Sequence, residues 1–275
     1  MTESATQSLH RNDLFSLDGK IALVTGGSRG IGFMIASGFV ENGAKVYISA
    51  RKAELCDAAA AELSKVGTCI SLPADVATNE GRKLLVDQLT DREGKLDVLV
   101  NNAGASWGAP LDEYPEDGWD KVMNINVKAP FMLTRDLAPL LASAGNADDP
   151  ARVINIGSID GLQVPTLDNF AYGPSKAAVH HLTRVLAIAL APRHITVNAI
   201  APGPFESKMT EWMLENFQRH IEAGAPMKRI GRPEDMAGVA IYLASRASTF
   251  VTGAVIPVDG GISTAQSAPP MPIPT

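Results

Sequence analysis

The chain has 275 residues, enough for one large domain with a substantial apolar core. Hydrophobic residues make up 45% and charged residues 20%, which excludes a disordered chain. A net charge of −6 excludes a global field that gathers nucleic acid or an anionic membrane, but leaves room for a local basic cluster around one small anion.

Residues 1–15 are polar and aperiodic and read as a flexible N-terminal arm, without the basic start and apolar run of a signal peptide. Short β-rich runs then alternate with longer helical patterns. Strands are predicted at 20–25, 45–50, 68–72, 96–101, 151–157, 195–200 and 254–258. Helices are predicted at 31–42, stopped by Asn42-Gly43, at 52–66, at 79–93 and at 177–191. Several strands are apolar without alternation, as strands covered on both faces must be. The pattern predicts one α/β domain over 16–264, a Rossmann-like doubly wound parallel sheet flanked by helices. Residues 265–275 hold four prolines and read as an extended C-terminal tail. No apolar run reaches the length of a membrane span, so the expected compartment is the cytoplasm.

Ligands of such sheets bind beyond the carboxyl ends of the strands, so the search for chemistry begins there. The first strand ends in Thr25-Gly26-Gly27-Ser28-Arg29-Gly30-Ile31-Gly32. Gly26, Gly30 and Gly32, spaced G-x-x-x-G-x-G, allow a tight turn and a close approach of backbone to a pyrophosphate, and the next helix offers free N–H groups to the anion. Alone the trio is only a turn; between strand and helix it predicts a dinucleotide site. The second strand ends in Ser49-Ala50-Arg51, without the carboxylate that commonly holds a ribose 2′-hydroxyl. Arg29 and Arg51 can grip a 2′-phosphate instead, so NADP(H) is expected over NAD(H); the bland reading makes both arginines surface charges.

Tyr172 and Lys176 are four residues apart at the head of a helical run, on one face. A neighbouring ammonium favours the phenolate, so the pair is expected to lower the phenol pKa toward a working range. Such a pair is common by chance. Ser158 strengthens it: it follows the fifth strand, where its hydroxyl can donate to a carbonyl oxygen, although a helix cap is its bland reading. Asn126 lies within a long helical stretch that suits it poorly. Asn102-Ala103-Gly104 follow the fourth strand and permit a ligand close to the backbone.

Taken together, the glycine turn, Asn102-Ala103-Gly104, Asn126, Ser158, Tyr172, Lys176, Pro202-Gly203 and Asp259-Gly260-Gly261 resemble the short-chain dehydrogenase/reductase family over most of the chain. The resemblance implies a seven-stranded parallel sheet and a homotetramer. It implies Tyr172 as proton donor, Ser158 polarising the carbonyl, Lys176 holding the nicotinamide ribose and Asn126 anchoring a relay water. It also implies that Asp75 and Val76 contact the adenine and Pro202-Gly203 lie beside the nicotinamide. Ser207 stands where the family usually has threonine on a phosphate.

Within the family the chain most resembles 3-oxoacyl-[acyl-carrier-protein] reductases of the rhamnolipid-pathway type. That implies reduction of a 3-oxoacyl thioester by NADPH, with an acyl carrier protein, coenzyme A or a free ketone as competing substrate forms. A general carbonyl reductase of small or cyclic ketones is the alternative. A regulatory NADP-binding protein without turnover is the remote one. Specificity is expected after Pro202-Gly203, in a lid holding Phe205, Met209, Trp212, Met213, Leu214 and Phe217, with Trp107, Leu162, Val164 and Pro165 opposite. No charged anchor for the substrate is evident, and Lys128, Lys208, Lys228, Arg229 and Arg232 read as solvated charges. Cys56 and Cys69 read as buried small hydrophobes, and no His, Asp or Cys grouping calls for a metal.

Overall fold

The run Ile21–Thr25 forms strand β1, and its side chains alternate between two cores. Ala22 and Val24 enter one apolar cluster; Leu23 enters the other. The computed structural model describes residues 9–165 and 167–264. The remaining strands are β2 (Lys45–Ser49), β3 (Cys69–Ser71), β4 (Val98–Asn101), β5 (Ala151–Ile156), β6 (Ile195–Pro202) and β7 (Val255–Val258). They form one seven-stranded sheet in the order β3-β2-β1-β4-β5-β6-β7. Every pairing is parallel. The order reverses between β1 and β4, the switch point at which this architecture opens a crevice.

Helix α1 (Arg11–Phe15) is a short exposed turn within the segment expected to be a loose arm. Residues 1–8 and the expected proline-rich tail lie outside the described residues. Helices α2 (Gly30–Glu41), α3 (Ala53–Leu63) and α4 (Asn79–Arg92) connect the first strands. The long helical stretch around Asn126 is three pieces: α5 (Glu116–Met123), a widened π turn at Asn124–Lys128, and α6 (Ala129–Ala144). Helix α7 (Tyr172–Leu190) follows β5, and α8 (Glu211–Gly224) and α9 (Pro233–Ala244) follow β6. One core packs α2 and α9 on the sheet through Ile35, Phe39, Met236 and Leu243. The other packs α4, α6 and α7 through Leu85, Leu89, Leu133, Leu137 and Leu186. At the amino ends of the strands, buried Arg152 pairs with Asp149 at 2.7 Å and donates to the Ser245 carbonyl at 2.8 Å. Among the described residues, no helix is long and apolar enough to cross a membrane, and no cluster of His, Cys, Asp or Glu could hold a metal.

Candidate active site

A cleft of about 780 Å³ opens along the carboxyl ends of the strands. Its floor is stitched together by polar groups. The Thr25 hydroxyl donates to the Val100 carbonyl at 3.2 Å and accepts from the Asn102 and Ala103 N–H groups at 3.0 and 3.1 Å. The Asn102 amide donates to the Thr25 and Gly26 carbonyls at 2.9 and 3.2 Å. The exits of β1 and β4 are thereby held as one unit. Gly26 has φ +67°, a left-handed conformation that glycine adopts without strain. At Gly32 a Cβ would lie 2.3 Å from the Gly26 carbonyl oxygen, so the first turn of α2 can approach only because that position is bare. Arg29 caps α2 without a side-chain bond, leaving the N–H groups of its first turn aimed into the cleft, as an anion site requires. Ser207 comes from the far wall to Gly30, its Cβ 3.1 Å from where a Gly30 Cβ would sit.

At the outer end, Arg29 and Arg51 line the cleft, both exposed. Neither makes an ion pair with a described residue. Lys52, the N-cap of α3, is a third cation on this wall, one that no motif in the sequence singles out. Asp75 and Val76 line the same end; the Asp75 carboxylate is occupied in accepting the Ala77 N–H at 3.0 Å. These residues fit a phosphorylated dinucleotide: a bare glycine cradle, a helix N-terminus, and unpaired cations where no carboxylate opposes them. One charge-assisted bond contributes about 1.5–3 kcal/mol. Arg51→Ala is therefore expected to lower the NADPH/NADH ratio of kcat/KM about tenfold or more in steady-state assays. An unchanged ratio removes Arg51 from cofactor choice.

The inner end holds Ser158, Tyr172 and Lys176 together on the cleft wall. Tyr172 is the first residue of α7, and one turn on the Lys176 Nζ stands 5.5 Å from the phenol ring centroid. Lys176 is buried and donates to the Ile156 carbonyl at 2.8 Å. Ser158 caps the short turn Ile159–Gly161, its hydroxyl accepting from the Asp160 N–H at 3.1 Å, and it lies near enough to the phenol to favour the charged form. Asn126 stands behind the wall, buried in the π turn. Its Oδ1 accepts from the Ala105 N–H at 2.9 Å, and its Nδ2 donates to the Ala105 carbonyl and to the Ser175 hydroxyl, both at 2.9 Å. Asn126 therefore faces the interior, not solvent. A π turn inside a helix is often found at functional sites.

The expected lowering of the phenol pKa is not what the geometry produces. Burial pushes Tyr172 up to about 12; the Ser158 contact opposes this and Asp160 adds to it. Burial also brings Lys176 down to about 8, against the pull of Asp160. Desolvation disfavours both charged forms more than the pair favours them. The phenol is accordingly protonated at neutral pH, the form needed to donate a proton. One turn further along α7, burial holds His180 down at about 4, so that ring is neutral there.

Across the cleft, α8 turns Met213, Phe217, His220 and Ile221 inward, spacings that share one helix face. Trp212 also lines the cleft and meets Phe217 edge to face at 5.6 Å. Val164 and Pro165 line the opposite wall as expected, joined by Gln163 and Leu167. Trp107 and Leu162 are not part of the lining. The Trp107 ring packs on Gly118 of α5, with the Lys121 Nζ 5.0 Å from its centroid. Nor is the cleft lining without further charges: Lys121, Lys208 and Asp160 are part of it, and Lys208 pairs with Glu211. Arg229, expected to be solvated, forms a two-armed pair with Asp235 at 2.5 and 3.0 Å.

The family model described as Enoyl-(Acyl carrier protein) reductase matches residues 26–263. With this fold and this site, the chain belongs to the short-chain dehydrogenase/reductase family of oxidoreductases. Among its relatives, a rhamnolipids biosynthesis 3-oxoacyl-[acyl-carrier-protein] reductase of Pseudomonas aeruginosa is 52% identical over 250 residues, spanning 90% of this chain and 97% of the relative. The solved Pseudomonas aeruginosa RhlG/NADP active-site complex has a TM-score of 0.89 at 50% identity, covering 91% of this chain and 99% of that one. A gluconate 5-dehydrogenase from Burkholderia cenocepacia J2315, in complex with NADP and tartrate, has a TM-score of 0.86 at 33% identity, covering 94% and 100%.

Proposed function

We propose that this chain is an NADPH-dependent ketoreductase that reduces a 3-oxoacyl thioester to the 3-hydroxyacyl product, working in the cytoplasm as a homotetramer. The observation that carries the ketoreductase reading is the meeting of Ser158, Tyr172 and Lys176 at the inner end of a cleft whose outer end is a phosphate cradle with free arginines. When bound, the reduced nicotinamide supplies the hydride. The chain's residues do the rest. The glycine turn, Asn102-Ala103-Gly104 and Pro202-Gly203 orient the cofactor, with Ser207 on a phosphate. Ser158 holds the substrate oxygen, and Tyr172 gives that oxygen its proton as negative charge develops. Lys176 steadies the ribose and offsets the charge left on the phenol oxygen. Both amide protons of Asn126 are committed to neighbours, so a relay water would rest on the remaining lone pair of Oδ1 or on the π-turn backbone.

The thioester reading is supported by the apolar inner face of α8, which suits an acyl chain, and by the name of the relative that is 52% identical. The homotetramer is carried by the family resemblance; Ile188 on α7, 80% exposed, and Phe250 are apolar side chains available to a contact between copies. The test of substrate class is NADPH oxidation with acetoacetyl-CoA beside cyclohexanone and 5-keto-gluconate. Acetoacetyl-CoA is expected to give the highest kcat/KM by about tenfold or more. A simple ketone in first place overturns the thioester reading and installs the general carbonyl reductase.

A further inference from the structure

Asp160 is a carboxylate with no evident task. It follows Ser158 by two residues, in the turn Ile159–Gly161. Its N–H donates to the Ser158 Oγ at 3.1 Å, so the turn that aims the serine also carries this acid. Its carbonyl oxygen packs against Gly173, 3.2 Å from where a Cβ would lie, which seats the turn on the first turn of α7. Asp160 lines the cleft, and its carboxylate forms no hydrogen bond with any described residue. The charges that feel it are the two that matter most for the reaction, Tyr172 and Lys176.

The rest of the cleft lining explains why an acid here has consequences. The other lining carboxylate, Asp75, is at the adenosine end and is already bonded. Apart from Lys52 at the outer end and Lys176, the lining lysines are Lys121 and Lys208, and Lys208 is paired with Glu211. Without Asp160 the buried Lys176 would leave the reacting end positive and favour carboxylates there. With it, the charge of Lys176 is partly offset, and a negative group on the substrate next to the carbonyl would face an acid that no hydrogen bond or ion pair with a described residue holds, in a half-desolvated space.

We infer that Asp160 is a specificity-determining residue: it selects substrates whose carbonyl neighbourhood is uncharged, such as 3-oxoesters and thioesters, against free keto acids. This rests on the cleft being a ketone-reducing site, as proposed above. It does not rest on the thioester itself, because the test uses two small ketones that differ only in charge. Ethyl acetoacetate and acetoacetate present the same ketone, one as a neutral ester and one as an anion. Their kcat/KM values would be measured with NADPH for the native enzyme, Asp160→Asn and Asp160→Ser, reading Ki against the best ketone where a compound is not turned over. The native enzyme is expected to prefer the ester at least tenfold, and each variant to lower that preference about tenfold. Effects of the substitutions on Tyr172 bear on both substrates and cancel in the ratio.

A native enzyme that handles both compounds equally overturns the inference before any variant is made. So does a variant, folded by circular dichroism, that keeps the native ratio within twofold. If ester preference and its loss are seen while acetoacetyl-CoA is a poor substrate, the thioester reading fails and the role of Asp160 stands. If acetoacetyl-CoA is the best substrate but the ratio does not respond, the reverse holds.

Discussion

Tyr172→Phe should lower kcat by a factor of about 10³–10⁴ while the Kd for NADPH stays within about threefold. The phenol stands at about 12 and is fully protonated at pH 7, so its acid function is available throughout the neutral range. Phenylalanine keeps the ring that packs beneath the Lys176 ammonium and loses only the oxygen that carries the proton. The proposed cofactor contacts are spread over the glycine turn, the β4 exit and the basic outer end, so loss of that one oxygen should leave most of them in place. Steady-state rates and a fluorescence titration with NADPH separate the two effects. A variant retaining a tenth of native turnover would falsify the assignment of Tyr172 as the acid.

The second large effect is expected at Gly32. A methyl group there would stand 2.3 Å from the Gly26 carbonyl oxygen and 2.4 Å from the Asn102 Nδ2. Neither neighbour can give way freely, because Asn102 Nδ2 is bonded to the Thr25 and Gly26 carbonyls and Gly26 is in a left-handed turn. The first turn of α2 must move outward, opening the phosphate cradle. Overpacking of this kind costs about 1–3 kcal/mol or more. Gly32→Ala is expected to lower Tm by several degrees and to weaken NADPH binding by about tenfold or more, in thermal melts with and without cofactor. Gly224→Ala is the control: nothing lies within 4 Å of its Cβ position at the end of α8, so neither quantity should fall. Equal behaviour of the two variants would refute the cradle argument.

The parts of this molecule that were legible in the sequence are those encoded within a few neighbouring residues. The glycine turn, the strand ends and the Tyr172–Lys176 spacing each announce themselves locally, and a parallel sheet covered on both faces follows from the alternation of strand and helix. What was missed depends on packing between distant segments. Trp107 has the look of a substrate wall, yet the bare Gly118 on α5 gives its ring a seat outside the cleft. Asp160 carries no signal in the sequence; only the packing of α7 on the turn Ile159–Gly161 brings it near Lys176. The direction of the Tyr172 shift was misjudged for the same reason: a nearby cation is visible in a sequence, whereas the extent of desolvation is not. The break at Asn124–Lys128 holds no glycine or proline itself; the available signals were Asn126 at an ill-suited helical position and Pro130 just beyond, which cannot donate back into the turn.

Helix α8 shapes the cleft while barely belonging to the body of the protein. Its one buried residue is Leu214. The chain on either side is anchored independently, by Phe205 inserted into the core and bridged to Gly231, and by α9 against α2. The fold thus separates what must be kept from what can drift. Residues 211–224 can be exchanged wholesale between relatives, rewriting which molecules are admitted, without disturbing the proton donor or the nucleotide cradle, to which Ser207 belongs. Diversification in such a lineage has a cheap route, and an engineer seeking a new preference should graft that segment before altering any residue of the sheet.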